Sequence, residues 1–462
     1  MSAQDRGWSI APTLLTFVGV LAVSLFVLDG NFSALADRLT TKRDPEPVGA
    51  GPVLVAKQDQ AASAVDDSDL VATLPPPVAG SHDIGALDDV CIDGTDEKCT
   101  KWAMDGFYKA VADSKKGTLG RAVRVSWYGD SVVATDALPG RLRSRLQAEL
   151  GDGGPGFIYI LTPHRFCHHD AITRSGGDNF LSYAISTNHT GDGFYGPGGA
   201  TVETNSGRAT IKLVSGKVTS AELYYLTQPK GGTATLAADG KDIATVSTAA
   251  ETKAPGYLVG NVADGGSKFE VHGDGKTRMF GLSLENASGA VVDNFGIVSV
   301  NAKSFSTSQT DHWTKELEHR SADLIMIMIG ANEAMWLKPG ESAMKKYQAE
   351  YETMLAPIRK ARPDASCLVV SPSDQAQAKD DGYESKPVIK SIADAQRKAA
   401  HAAGCAFYST YDWMGGKGSS VKWLKKHLIS SDFIHLSHAG ASKMADAVFD
   451  ALMTGSKSYA SK

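Results

Sequence analysis

Three stretches of the chain carry four side chains that could together do acyl-transfer chemistry. Ser131 follows Gly129 and Asp130 at the end of the apolar run "VRVSWYG"; Asn332 follows the run "IMIMIG"; Asp432 and His435 lie three residues apart in "SSDFIHLSHAG". A serine at a strand end is open to a substrate carbonyl, and an imidazole beside it accepts its proton. A carboxylate three residues before the imidazole, on one helical turn or a tight loop, holds the ring in the accepting tautomer. An amide on a loop after a buried strand donates to the negative oxygen of a tetrahedral intermediate, and loss of such a donor costs about 10²- to 10³-fold in rate. Alone, each feature has an ordinary reading: a turn serine, an asparagine satisfying loop backbone, a structural D-x-x-H.

The surrounding pattern is what positions them. Apolar strand-like runs "VRVSWYG", "GAVVDNFGIVSV", "ADLIMIMIG", "ASCLVVS" and "CAFYSTY" are separated mostly by helical patterns such as "SAMKKYQAEYETMLAPIRKAR" and "SIADAQRKAAHAAG". That alternation predicts a parallel sheet with helices on both faces, whose strand carboxyl ends are where ligands meet side chains. One interval breaks it: residues 157–288 hold short β-prone runs ("ATVETN", "ATIKLV", "AELYYL", "KFEVHG") between Gly, Asp and Lys turns. This interval reads as an inserted all-β module, a sandwich or jelly roll.

Composition narrows the classes. The chain has 462 residues and a formal net charge of -5, with no basic cluster dense enough to neutralise a phosphate backbone, so no nucleic-acid partner is expected. The run Trp8 to Leu28 is uncharged and long enough for a bilayer core of about 30 Å. It is read as a membrane anchor or signal segment (1–30), with retention favoured by length over cleavage at "ALAD". Residues 31–90, rich in Ala, Asp and Pro, read as a flexible linker. Cys91 and Cys99 bracket a polar loop at a spacing that closes a small disulfide ring; Cys367 and Cys405 form either a second bridge or two buried thiols; Cys167 is left over. The expectation is an exported, periplasmic or cell-surface chain held by its N-terminal helix.

Gly129-Asp130-Ser131, "GANE" at Gly330 to Glu333, and Asp432 to His435, in this order, resemble the first, third and fifth blocks of the SGNH, or GDSL, hydrolase superfamily. The resemblance implies a flavodoxin-like three-layer α/β/α fold in two parts, 91–156 and 289–455, around the inserted module. It implies a Ser131, His435, Asp432 triad and an oxyanion hole from the Ser131 amide, the Asn332 side chain and an amide near Ser299. Two departures stand out. Ser299 occupies the place of the second block's usual glycine, with Gly296 a few residues early, and Glu333 replaces the third block's aspartate, which is expected to be tolerated. No cofactor and no metal are implied.

A β-module interrupting the first and second blocks resembles the peptidoglycan and polysaccharide O-acetylesterases of that superfamily. The expected function is therefore esterase action on an O-acetylated carbohydrate polymer. The competing readings are an O-acetyltransferase using the same acyl-enzyme, a lipolytic esterase or thioesterase, and an inactive glycan-binding scaffold. Within the module, Phe194, Tyr195, Tyr224 and Tyr225 are sugar-stacking candidates, though alternating aromatics in a sandwich more often build its core. "HRFCHHD" (His164 to Asp170) has metal-ligand residue types without the spaced pairs of a zinc site and reads as a polar loop near the site's rim. "GDGGPGF" lacks the Lys-Ser/Thr of a phosphate loop and reads as a turn-rich junction.

Overall fold

The computed structural model describes residues 82–84, 87–95, 97–380 and 382–461. Seven strands form the central sheet, in the order His82–Ile84, Leu87–Asp89, Ala406–Tyr408, Ser366–Val370, Leu324–Met328, Val123–Gly129, Ala290–Gly296. The last five pair in parallel. Numbered along the chain, these five lie in the spatial order 2-1-3-4-5, the flavodoxin-like arrangement, whose switch point lies between its first and third strands. Helices cover both faces, so the strands are apolar on both sides: Val123, Val125 and Trp127 pack into one core with Leu324, Met326 and Leu368, while Tyr128 packs into the other with Ile325, Ile327 and Val369.

Strand register brings the site together. Gly129 is paired with Gly296 on one side and with Met328 on the other, so three strands end level and their loops leave from one edge. Two of these positions need glycine for close approach. A Cβ on Gly129 would fall 2.2 Å from Val133 Cγ2, and one on Gly296 would fall 2.3 Å from the Ala134 nitrogen. Both contacts belong to the helix Ser131–Ala134, which therefore sits directly on the strand ends.

Between the first two parallel strands, after the helices Ser131–Ala134 and Ala137–Leu150, the chain is all-β: nine strands in one antiparallel hydrogen-bonded sheet, from Gly156–Ile158 to Lys268–Glu285. Its spine is the 18-residue strand Lys268–Glu285. The first half of that strand pairs with Thr233–Ala238 and Ala200–Leu213, and the second half with Val218–Thr227 and Gly156–Ile158. Ala209, Ile211 and Leu213 are buried between exposed Arg208 and Lys212, the period of two expected of a strand with one face on a core.

Several expectations change. The linker composition of 31–90 conceals a hairpin: His82–Ile84 pairs with Leu87–Asp89, and Asp88 pairs with Phe407, extending the main sheet at its edge. Leu87 is fully buried there, so this end of the segment is part of the fold. Cys91–Cys99 and Cys367–Cys405 are both disulfides, and Cys167 is a buried free thiol. The expected exported chain held by a membrane helix is corrected. Among the described residues no helix is long and apolar enough to cross a membrane. The longest, His438–Ala460, carries Lys443, Asp446, Asp450 and Lys457. The run Trp8 to Leu28 lies outside the described residues, and the chain is assigned neither an anchor nor a location.

Candidate active site

Ser131 opens the helix at the end of the first parallel strand, capped by Asp130, whose carboxylate accepts the Val132 N–H at 3.0 Å. His435 stands on a closed loop rather than on a helix. Within it the Ser430 N–H donates to the His435 carbonyl, and the Phe433 N–H donates to the Ser430 carbonyl. Phe433 has φ +58, a left-handed conformation uncommon for a bulky residue, at the turn between Asp432 and His435. Asp432 Oδ1 accepts the backbone N–H groups of Ile434 and His435 at 2.8 and 3.0 Å.

The sequence places these side chains 304 positions apart, and the fold puts them in line. Asp432 Oδ2 lies 2.7 Å from His435 Nδ1, and His435 Nε2 lies 2.8 Å from Ser131 Oγ. A carboxylate only accepts, so Nδ1 carries the hydrogen it donates and Nε2 is left to accept from the serine hydroxyl. The bond to Asp432 holds His435 above its ordinary pKa against the opposing effect of burial. Burial also opposes ionisation of Asp432, but the His435 ring and the two backbone donors outweigh it and bring the carboxyl down to about 2. Burial lifts Asp130 to about 6, against the Val132 N–H and the nearby His435.

Asn332 lies beyond the third parallel strand, and one hydrogen of its amide is donated to the Val300 carbonyl at 2.8 Å. That bond fixes the amide plane and leaves its second hydrogen for another acceptor. Ser299 has φ +66, and among the described residues neither its N–H nor that of Ser131 has a protein acceptor. Gly296 is not an alternative donor, because its N–H is taken by Asn294 Oδ1 at 2.9 Å. Glu333 does more than fill a tolerated position. Its Oε1 accepts the Ala302 N–H at 3.0 Å, so Asn332 and Glu333 together clip the loop 297–302 to the third strand. Burial raises Glu333 to about 7, and its Oε2 has no partner.

A tight cleft of about 10 Å³ under the strand ends is lined by Asp130, Val132, Met328, Ile329, Ala331, Pro372, Ser373, Gln375 and Ile434, and Ser131, His435 and Asn332 do not line it. Its volume is close to that of one water, about 10–15 Å³ on this measure. The segment His164 to Asp170 packs behind the helix Ser131–Ala134. His168 N–H donates to the Ala134 carbonyl at 2.9 Å, and Asp170 N–H donates to Asp136, which is ion-paired with buried Arg143. Burial and Arg143 push His169 down to about 3, so it stands as a neutral ring. Among the described residues no group of three or more His, Cys, Asp or Glu is placed to hold a metal. The module's candidates Tyr195, Tyr224 and Tyr225 are buried, and Phe194 packs partly buried against the core.

Comparison with known proteins agrees with this architecture. Residues 262–443 match the model of the GDSL-like lipase/acylhydrolase family, a span that includes Asn332, Asp432 and His435. Ser131 lies before it, separated by the inserted strands. A solved peptidoglycan O-acetylesterase superposes with a TM-score of 0.66 at 24% identity, over 76% of this chain and 96% of that one. An acetyl xylan esterase matches at 16% identity over 35% of this chain and 80% of its own, with a TM-score of 0.27. An acetylxylan esterase from Geobacillus stearothermophilus matches at 19% identity over 36% and 73%, with a TM-score of 0.26. These last two superpositions are too weak to carry an argument. No curated protein matches the chain. The α/β part has the SGNH hydrolase fold, and the chain resembles the O-acetylesterases that carry it.

Proposed function

We propose that this chain, with its SGNH hydrolase fold and its GDSL-like acylhydrolase match, is a serine esterase that removes O-acetyl groups from a polysaccharide. The observation that carries the reading is the unbroken line from Asp432 through His435 to Ser131 at 2.7 and 2.8 Å. Ser131 Oγ attacks the ester carbonyl as His435 Nε2 takes its proton. The tetrahedral oxyanion accepts from the Ser131 N–H, the free Asn332 amide hydrogen and the Ser299 N–H. Collapse breaks the C–O bond to the sugar, His435 returns the proton to the leaving alkoxide, and an acetyl-serine remains. Water, deprotonated by His435, discharges it as acetate.

The acyl size and the polymer are part of the proposal. The likeness to a peptidoglycan O-acetylesterase supports a short acetyl group over a long acyl chain. The resemblance to a peptidoglycan O-acetylesterase supports a carbohydrate ester as substrate. The test is acetate release by the full chain from p-nitrophenyl acetate and from O-acetylated peptidoglycan, beside Ser131→Ala and p-nitrophenyl octanoate. The expected result is turnover of both acetyl esters, a lag on octanoate, and a loss of at least about 10³-fold in Ser131→Ala. Equal rates for wild type and Ser131→Ala would sink the reading. Acetyl transfer to an added sugar acceptor without free acetate would replace hydrolase with transferase.

A further inference from the structure

We infer that Phe166, Trp336 and Tyr383 form an aromatic rim around Ser131 that stacks on the pyranose rings flanking the acylated sugar. This rests on the esterase reading and goes beyond it, by naming where the polymer lies and what holds it. Among the described residues these are the exposed aromatic side chains, at 51%, 54% and 57%. Within residues 157–288 Phe166 is the one such ring among the described residues, the other exposed large apolar residues there being Leu181, Val214 and Val259.

Each ring is tied to a different part of the site. Phe166 lies two residues before His168, whose N–H is held by the carbonyl of Ala134 at the end of the nucleophile's helix. Trp336 closes the turn that Asn332 begins, its N–H donating to the Glu333 carbonyl. Tyr383 lies 4.7 Å, centroid to centroid, from Phe433, the residue between Asp432 and His435. Three segments, one packed against the helix of Ser131, one following Asn332 and one packed against the loop of His435, thus each present one ring to solvent.

An exposed aromatic loses little by being in water singly, but apolar surface gathered at a site marks a binding face. A pyranose has a face of C–H groups and an edge of hydroxyls. Laid on a ring, it removes apolar area from water while its hydroxyls stay solvated. The rim suits that amphipathic shape better than an acyl chain, because a charged group interrupts it: Arg165 lies 4.7 Å over one face of Phe166. An acyl chain needs a continuous apolar groove.

The experiment compares the full chain with Trp336→Ala, Tyr383→Ala and Trp336→Phe on O-acetylated xylan, O-acetylated peptidoglycan, the small ester triacetin and p-nitrophenyl palmitate. The expected result is that Trp336→Ala and Tyr383→Ala lower kcat/KM on a polymer at least about tenfold more than on triacetin, through KM, and that Trp336→Phe restores most of it. A polymer-to-triacetin ratio unchanged within about twofold overturns the rim, as does an equal loss on palmitate. If wild type is inert on every ester, the esterase reading fails. The rim is then decided by calorimetric binding of deacetylated xylan and peptidoglycan: binding lost in Trp336→Ala upholds it, and no binding by wild type overturns it.

Discussion

Two clusters in this molecule pair carboxylates with cations, and they behave differently because of where they lie. At the site, Asp432 and His435 are 46% and 41% exposed, on a loop at the open edge of the sheet. At the junction of sheet and module, Arg320 is clamped by Asp293 and Glu285, with Arg320 and Asp293 at 2% and 0%. Arg320 donates to Asp293 at 2.8 and 2.7 Å, and Asp293 also accepts the Ser126 hydroxyl and the Phe157 N–H. Those partners come from the helix Thr310–Arg320, the first and second parallel strands, and the first and last strands of the module. A guanidinium never titrates in the working range, so this cluster locks five elements together. An imidazole does titrate there, so the same pairing half-open to solvent becomes a proton acceptor. On the proposed mechanism, burial and the identity of the cation separate a fastener from a catalyst.

The sharpest break of that comparison is Asp432→Asn. The amide leaves the fold intact but removes the acceptor that sets the His435 tautomer, and a fall of about 10⁴-fold in kcat is expected. His435 must be neutral to act, and Asp432 raises its pKa above 6.5, so wild-type activity falls as pH drops through that raised value. In Asp432→Asn the residual activity should keep its acid limb to lower pH. A profile with an unmoved limb would show that another group governs it.

Arg320→Met should do the reverse: damage the fold and spare the chemistry. It leaves Asp293 buried without its cation, and breaking a buried pair this way costs about 3–5 kcal/mol. Urea denaturation followed by far-UV circular dichroism reads the loss, and adding Asp293→Asn should recover part of it. The folded fraction should retain far more of its kcat than Asp432→Asn does. A stability change under about 1 kcal/mol would show that the junction is held by its apolar contacts instead.

How much of this was legible depends on the range of the interactions. The strands and helices of the α/β part follow from local periodicity, as do the positions of Ser131, Asn332, Asp432 and His435 at strand ends and loops. Register is not periodic. Nothing local to Gly129, Gly296 or Met328 says that they end level, and nothing in "TDHWTKELEHR" marks Arg320 as the partner of two carboxylates in other elements. The hairpin at residues 82–89 was hidden because its strands are three residues each, too short for a pattern against a linker-like composition. Trp336 carries no signal in the sequence, because an exposed aromatic in a loop gains meaning only from its neighbours in space. The module's tyrosines had the opposite fate: their alternation said core, and they are core.

Glu333 tests the comparison most finely, because it is a buried carboxylate beside the site with no cation to hold it. Burial raises it to about 7, well above the value of about 4.3 expected in an unfolded chain. Between those values the folded state binds more protons than the unfolded one, so this group's contribution to stability declines as pH rises. Glu333→Gln keeps an oxygen for the Ala302 N–H and removes the titration. The variant should therefore gain stability relative to wild type as pH rises from about 4.5 to 7, a difference read by thermal unfolding at fixed ionic strength. Its kcat should fall only several-fold, because the loop bearing Ser299 stays clipped through Asn332 and the retained oxygen. A parallel pH dependence in the two proteins would mean that Glu333 ionises as freely as a surface carboxylate, and that the clip to Ala302 is held by a charge.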